Sequence, residues 1–207
     1  MRLQVPSTVH FALLAWHLFV WTWHFLSPLA KNLPGAVGFG WFFRYLTFFS
    51  YTLQLVQLIV CCVAVVLPAS KLREAVTHFA DDLSCSVFGL ANAVTIMFHV
   101  LQWTTRDVVE GGDVERPFWL GASVHIFNAV TAWLDLLLGA PRSFSARARQ
   151  MSTAFTLVYT QWILVCRVAN NEFPYPFMNK LPFPQGFFFV STSATLLLYG
   201  FFMDEQR

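Results

Sequence analysis

Charge is scarce in this chain. Thirteen Lys and Arg and eleven Asp and Glu are spread over 207 residues, 12% of the total, about half the share of a soluble domain. The net charge of +2 leaves no basic field for nucleic acid. Four cysteines, Cys61, Cys62, Cys85 and Cys166, show neither C-x-x-C metal spacing nor a disulfide framework. They sit in or beside apolar runs, where a thiol packs as a small hydrophobe. G-x-S-x-G, a phosphate loop and H-E-x-x-H are missing, as are the histidine clusters of a membrane di-iron site. There is no internal repeat, and the loops are too short to form a second domain, so residues 1–207 read as one transmembrane domain.

Apolar residues fill the chain instead. Hydrophobic residues make up 57%, with 23 Phe and 8 Trp, and the mean hydropathy is +0.55. Six stretches, near 8–29, 41–66, 83–103, 118–139, 151–169 and 186–203, are long enough or nearly so to cross about 30 Å of hydrocarbon. The expected fold class is all-α, a polytopic integral membrane bundle of about six helices. The fifth stretch, with Thr156, Tyr159, Thr160 and Gln161, is the most polar, and a five-helix arrangement stays open. The run from Thr8 to Leu29 is too long for the core of a secretory signal and reads as a retained helix. Turn signals fall at Lys31–Gly40, Pro68–Asp82, Asp107–Glu115, Pro141–Gln150 and Asn171–Gln185. The basic Pro141–Gln150 loop, with Arg142, Arg147 and Arg149, places both termini in the cytosol. Plasma membrane and endoplasmic reticulum both remain open, since Met203–Arg207 carries no retrieval motif.

Two polar stripes interrupt these apolar stretches. Arg44, Thr47, Tyr51 and Gln54 form one; His125, Asn128 and Asp135 form the other. Steps of three, four and seven residues put each set on one helix face. Hydrocarbon offers such groups no partner, so both faces point into the bundle. Thr47 lies six residues inside the second stretch and His125 seven inside the fourth, both about 9–10 Å below the same boundary at 1.5 Å per residue. His24 and His99 fall in the same half. Taken singly, each residue has a bland reading. A membrane Thr usually bonds its own i−4 carbonyl, and a membrane His usually bonds a neighbouring helix. His10, His17 and His24 share a face as packing groups, Asp135 is paired or protonated, and Arg44 either snorkels or clamps an anionic head group. As a pair, Thr47 and His125 are a hydroxyl and a base of the types that nucleophilic catalysis requires.

Phe43-Arg44-Tyr45-Leu46-Thr47-Phe48 followed by Gln54, His125 followed ten residues later by Asp135, and the turn Tyr175-Pro176-Phe177 carry a resemblance. Their order and spacing resemble the androgen-induced / androgen-dependent TFPI-regulating protein family of multi-pass membrane threonine hydrolases. The resemblance implies cleavage of fatty acid esters of hydroxy fatty acids, with Thr47 as nucleophile, His125 as base and no cofactor or metal. The partners it implies are the lipid substrate and membrane lipids. Arg44 is the candidate clamp for the substrate carboxylate, and Tyr51 or Asn128 are candidate oxyanion donors. The family often has a second His three residues before the catalytic one, where this chain has Ala122. A shifted alignment would put His125 on that accessory position and Asn128 on the catalytic one, making the chain an inactive relative. The stretch around Leu90–Asn92 also departs from the family's Phe-Pro pattern. Two other classes stand beside the hydrolase: a haem or metal protein using His24, His99 and His125, and a lipid-binding member without catalysis.

Overall fold

A computed structural model describes residues 7–104, 117–138 and 144–200, and every element among them is helical. The acidic Asp107–Glu115 loop, most of the basic loop before Phe144 and the residues after Gly200 lie outside the described residues. The described residues hold six long helices: α1 Ser7–Leu26, α2 Leu46–Val66, α3 Lys71–Thr104, α4 Phe118–Leu138, α5 Ala146–Asn170 and α6 Gln185–Gly200. The first four are long and apolar enough to cross a membrane. α3 packs against α2, α4, α5 and α6, while α1 packs on α2.

The helix ends differ from the sequence expectation where local chemistry overrides hydropathy. α1 stops at Leu26 because Pro28 biases Ser27 toward extended backbone, at φ −73° and ψ 130°. Residues 28–44 then run as three short 3-10 turns, Pro28–Asn32, Pro34–Ala36 and Trp41–Arg44. Gly38 and Gly40 adopt φ +90° and +88°, a left-handed geometry natural to glycine. α2 therefore begins at Leu46 and not at Trp41. α3 starts twelve residues before the expected 83 because Ser70 caps it, its Oγ accepting from Arg73 N–H at 3.3 Å. The Lys71–Asp82 segment, expected as a loop, lacks Pro and Gly and stays helical. Its polar end is useful: Asp82 accepts from Ser145 Oγ at 2.6 Å, and Ser145 in turn caps α5 through Ala148 N–H at 3.0 Å.

The bundle is polar inside and apolar outside along α2. Val56, Ile59, Val63 and Val66 are exposed, while Tyr51, Gln54, Leu58 and Cys61 on the opposite face are buried. That arrangement suits a helix whose outer face meets lipid. The apolar core between α1, α2 and α4 contains Val20, Phe42, Phe48, Leu120 and Val124, packed against Trp21, Trp23, Trp41 and Trp119.

Candidate active site

Among the described residues, α2 and α4 share hydrogen bonds between residues 78 apart in sequence. Thr47 Oγ1 lies 3.5 Å from His125 Nδ1, Asn128 Nδ2 donates to Ser50 Oγ at 3.1 Å, and Gln57 Nε2 donates to Asp135 Oδ2 at 3.0 Å. A constant offset means that the two helices run parallel and in register, so each turn of α2 faces the matching turn of α4. The equal depths expected of Thr47 and His125 thus become a contact. Thr47 faces His125, while Asn128 faces Ser50 one turn deeper. This register sets the His125 imidazole opposite the Thr47 hydroxyl.

His125 sits in a π-helical turn, Ser123–Phe127, between two α-helical halves of α4. Such turns insert an extra residue and loosen the backbone bonding, and they recur at functional sites. The His125 carbonyl accepts instead from Thr95 Oγ1 on α3. Phe98, also on α3, stacks on the imidazole at 3.7 Å and 12°. The Phe98 stack sets the ring plane with Nδ1 toward Thr47, while Thr95 holds the backbone of the π-helical turn. His125 is 7% exposed.

Thr47 is the second residue of α2, inside the first turn. The first N–H groups of a helix have no intrahelical acceptor. That of Leu46 is taken by the Tyr175 hydroxyl at 2.7 Å. Tyr175 stands 3.3 Å from the Tyr159 hydroxyl, which donates to the Arg44 carbonyl at 2.9 Å. Two tyrosines thus clamp the entry to α2, whose cap residue Tyr45 is extended. Burial pushes the Tyr175 phenol up to about 12. Trp162 Nε1 holds the Phe43 carbonyl at 3.1 Å, and the Asn170 amide brackets the Phe39 backbone at 2.8 and 3.0 Å. Sequence reasoning noted Tyr175 only as part of a motif and missed Tyr159, Trp162 and Asn170. They act on backbone at distant positions, which side-chain periodicity does not report.

The other expected site residues lie close by. Arg44 Nη2 donates to the Pro34 carbonyl at 2.8 Å, and its guanidinium lies over the Tyr45 ring at 5.3 Å. It braces the loop before α2. Tyr51 is fully buried and stacked on His17 at 4.5 Å and 11°, and its hydroxyl has no partner among the described groups. Asn128 spends its Nδ2 on Ser50. His24 bonds the Val20 carbonyl and packs among Phe42 and Phe48. His99 adjoins Phe98.

At the far end of the same interface, His10 Nε2 and Asp135 Oδ1 pair at 2.8 Å. Gln57 Nε2 also reaches Ser84 Oγ at 2.7 Å. His10, Cys61 and Asp135 hold their ligand-type atoms within 4.8 Å of one another. Both Asp135 oxygens already accept hydrogen bonds there, from His10 and Gln57.

A family model described as FAR-17a/AIG1-like protein matches residues 5–205. No curated protein and no solved structure matches the chain.

Proposed function

The chain belongs to the FAR-17a/AIG1-like family, and on that basis we propose that it is an integral membrane lipid hydrolase that cleaves fatty acid esters of hydroxy fatty acids. The observation that carries the proposal is the Thr47 Oγ1–His125 Nδ1 approach of 3.5 Å across two parallel buried helices. A long contact of this kind tightens when substrate is bound.

In this reading Thr47 Oγ1 attacks the ester carbonyl carbon as His125 Nδ1 takes its proton. The C–O bond to the hydroxy fatty acid breaks, and His125 returns the proton to the departing alkoxide. The acyl group stays on Thr47. A water molecule then loses a proton to His125 and attacks the acyl-Thr47 carbonyl. Thr47 recovers its proton, and the fatty acid leaves. The N–H groups of Thr47 and Phe48, in the first turn of α2, supply oxyanion donors without an intrahelical competitor. Arg44 and the tyrosine clamp set the pitch of that turn. Phe98 keeps the imidazole from turning away.

Acid quenching during turnover tests the chemistry directly. The peptide containing Thr47 is expected to gain the mass of the acyl group in wild type and to show no gain in His125→Ala. Acyl mass on a different residue would overturn the assignment of Thr47.

A further inference from the structure

Below the Thr47–His125 pair, the interface of α1, α2 and α4 holds a run of buried polar atoms without protein partners. Tyr51 Oη, His17 Nε2, Asn128 Oδ1, Gln54 Oε1, Thr131 Oγ1 and His10 Nδ1 each have none among the described residues. All six side chains are at least nine-tenths buried. They are ordered by depth. Asn128 and Tyr51 lie one turn below the pair, with His17 stacked on Tyr51. Gln54 and Thr131 lie about one turn further, and the run reaches His10–Asp135–Gln57. Buried polar atoms nearly always find partners, and six orphans on three facing helices require a common guest.

The atoms also say what the guest is. His17 Nδ1 faces the Leu13 carbonyl at 2.9 Å, so that nitrogen carries the proton and Nε2 of the neutral ring is an acceptor. Gln54 Oε1 and Asn128 Oδ1 are acceptors as well. Tyr51 and Thr131 hydroxyls both give and accept. A lipid tail satisfies none of these, and a carboxylate brings no protons for the acceptors. Water supplies two donors and two acceptor sites per molecule, and a polar lining of this kind is where buried water resides.

We propose that α1, α2 and α4 enclose an internal water file that runs from the Thr47–His125 pair toward His10–Asp135 and delivers the water that hydrolyses the acyl-enzyme. The supply role rests on the hydrolase reading; the file itself does not. From Thr47 to Gln57 the path spans about 15 Å along α2. Substrate approaching from lipid would then meet water arriving from the opposite direction, so the acyl chain need not leave before deacylation. The chemistry balances: one water is consumed, its hydroxyl joins the acyl carbon, and its proton restores Thr47 through His125.

Hydroxyl-radical footprinting with a millisecond X-ray pulse, on the full-length protein in micelles, tests the file. Radicals arise from water at its site, so buried side chains are labelled only where water resides. Tyr51 and His17 are expected to be oxidised at least tenfold faster than Phe48, which is buried in the apolar core. The same labelling is expected in Thr47→Ala, which removes the proposed chemistry and leaves the file intact. Tyr51 and His17 labelled no faster than Phe48 would overturn the file while leaving the hydrolase reading untouched. For the supply role, Thr131→Val is expected to lower kcat at least threefold with the acylation burst unchanged. A burst that falls in step with kcat, or an unchanged kcat, would overturn it.

Discussion

Asp135 offers the sharpest link between geometry and stability. Its side chain is 3% exposed, and its oxygens accept from His10 Nε2 at 2.8 Å and Gln57 Nε2 at 3.0 Å. His10 and Gln57 are themselves buried, so Asp135→Ala leaves the buried His10 Nε2 without its acceptor and takes one acceptor from Gln57 Nε2, which keeps Ser84 Oγ. Breaking a buried pair by removing one partner costs about 3–5 kcal/mol. For a chain of this length each kcal/mol moves Tm by about 2–4 °C, so Asp135→Ala is expected to lose about 6–20 °C. Thermal unfolding in micelles, followed by retention on a size-exclusion column, measures it. The comparison is Arg147→Ala, which removes an ion pair to Asp82 at 3.6 Å from a side chain 61% exposed. Exposed pairs contribute about 0–1 kcal/mol, so its shift should stay under about 4 °C. Asp135→Asn keeps one acceptor oxygen and should fall between. Equal shifts for Asp135→Ala and Arg147→Ala would refute the reasoning, because burial would then have made no difference to the pair.

Tyr175→Phe removes the acceptor of the Leu46 N–H and should cost about 1–3 kcal/mol, read as a lower Tm and a larger loss of ester turnover than its distance from the substrate implies. Burial raises the Tyr175 phenol to about 12, so its stabilising effect should be fully present below pH 10 and fade as pH rises through 12; a wild-type Tm advantage over Tyr175→Phe that disappears already between pH 7 and 9 would contradict this. Gly38→Ala forces a left-handed φ of +90° on a side chain whose Cβ would meet Arg44 Nη1 at 2.7 Å and Asn170 Oδ1 at 2.8 Å. At least about 1–2 kcal/mol of destabilisation is expected from the backbone alone, measured by the same thermal assay. His125→Ala combined with Asn128→His should not recover ester hydrolysis, since position 128 faces Ser50 and not Thr47; recovery to within tenfold of wild type would show that the register does not matter.

The stripes in α2 and α4 were legible in the sequence because lipid penalises polar groups that lack partners, and the depth of Thr47 and His125 followed from counting residues along two helices. The offset of 78 between facing residues was not legible. It depends on the loops that join α2 to α4 and on the π-helical turn at His125, which no periodicity announces. The long polar start of α3 was misread as a loop because hydropathy tracks membrane crossing and not helicity; Ser70 followed by residues free of Pro and Gly carried the correct signal. Arg44 illustrates a subtler gap. Its Nη2 donates to the Pro34 carbonyl, a contact that helical counting does not anticipate because it comes from the 3-10 turns before α2. Tyr51 was read as a site residue from its place on the stripe, and the structure puts it one turn deeper, against His17.

Initial rates of hydrolysis of a fatty acid ester of a hydroxy fatty acid, for purified wild type, Thr47→Ala and His125→Ala at matched folded concentration, test the central claim most directly. Wild type is expected to turn over, and both variants to fall by about 10²–10⁴-fold or more, with Thr47→Ser keeping measurable activity because it retains a hydroxyl opposite His125. Wild-type turnover that survives Thr47→Ala undiminished would contradict the account.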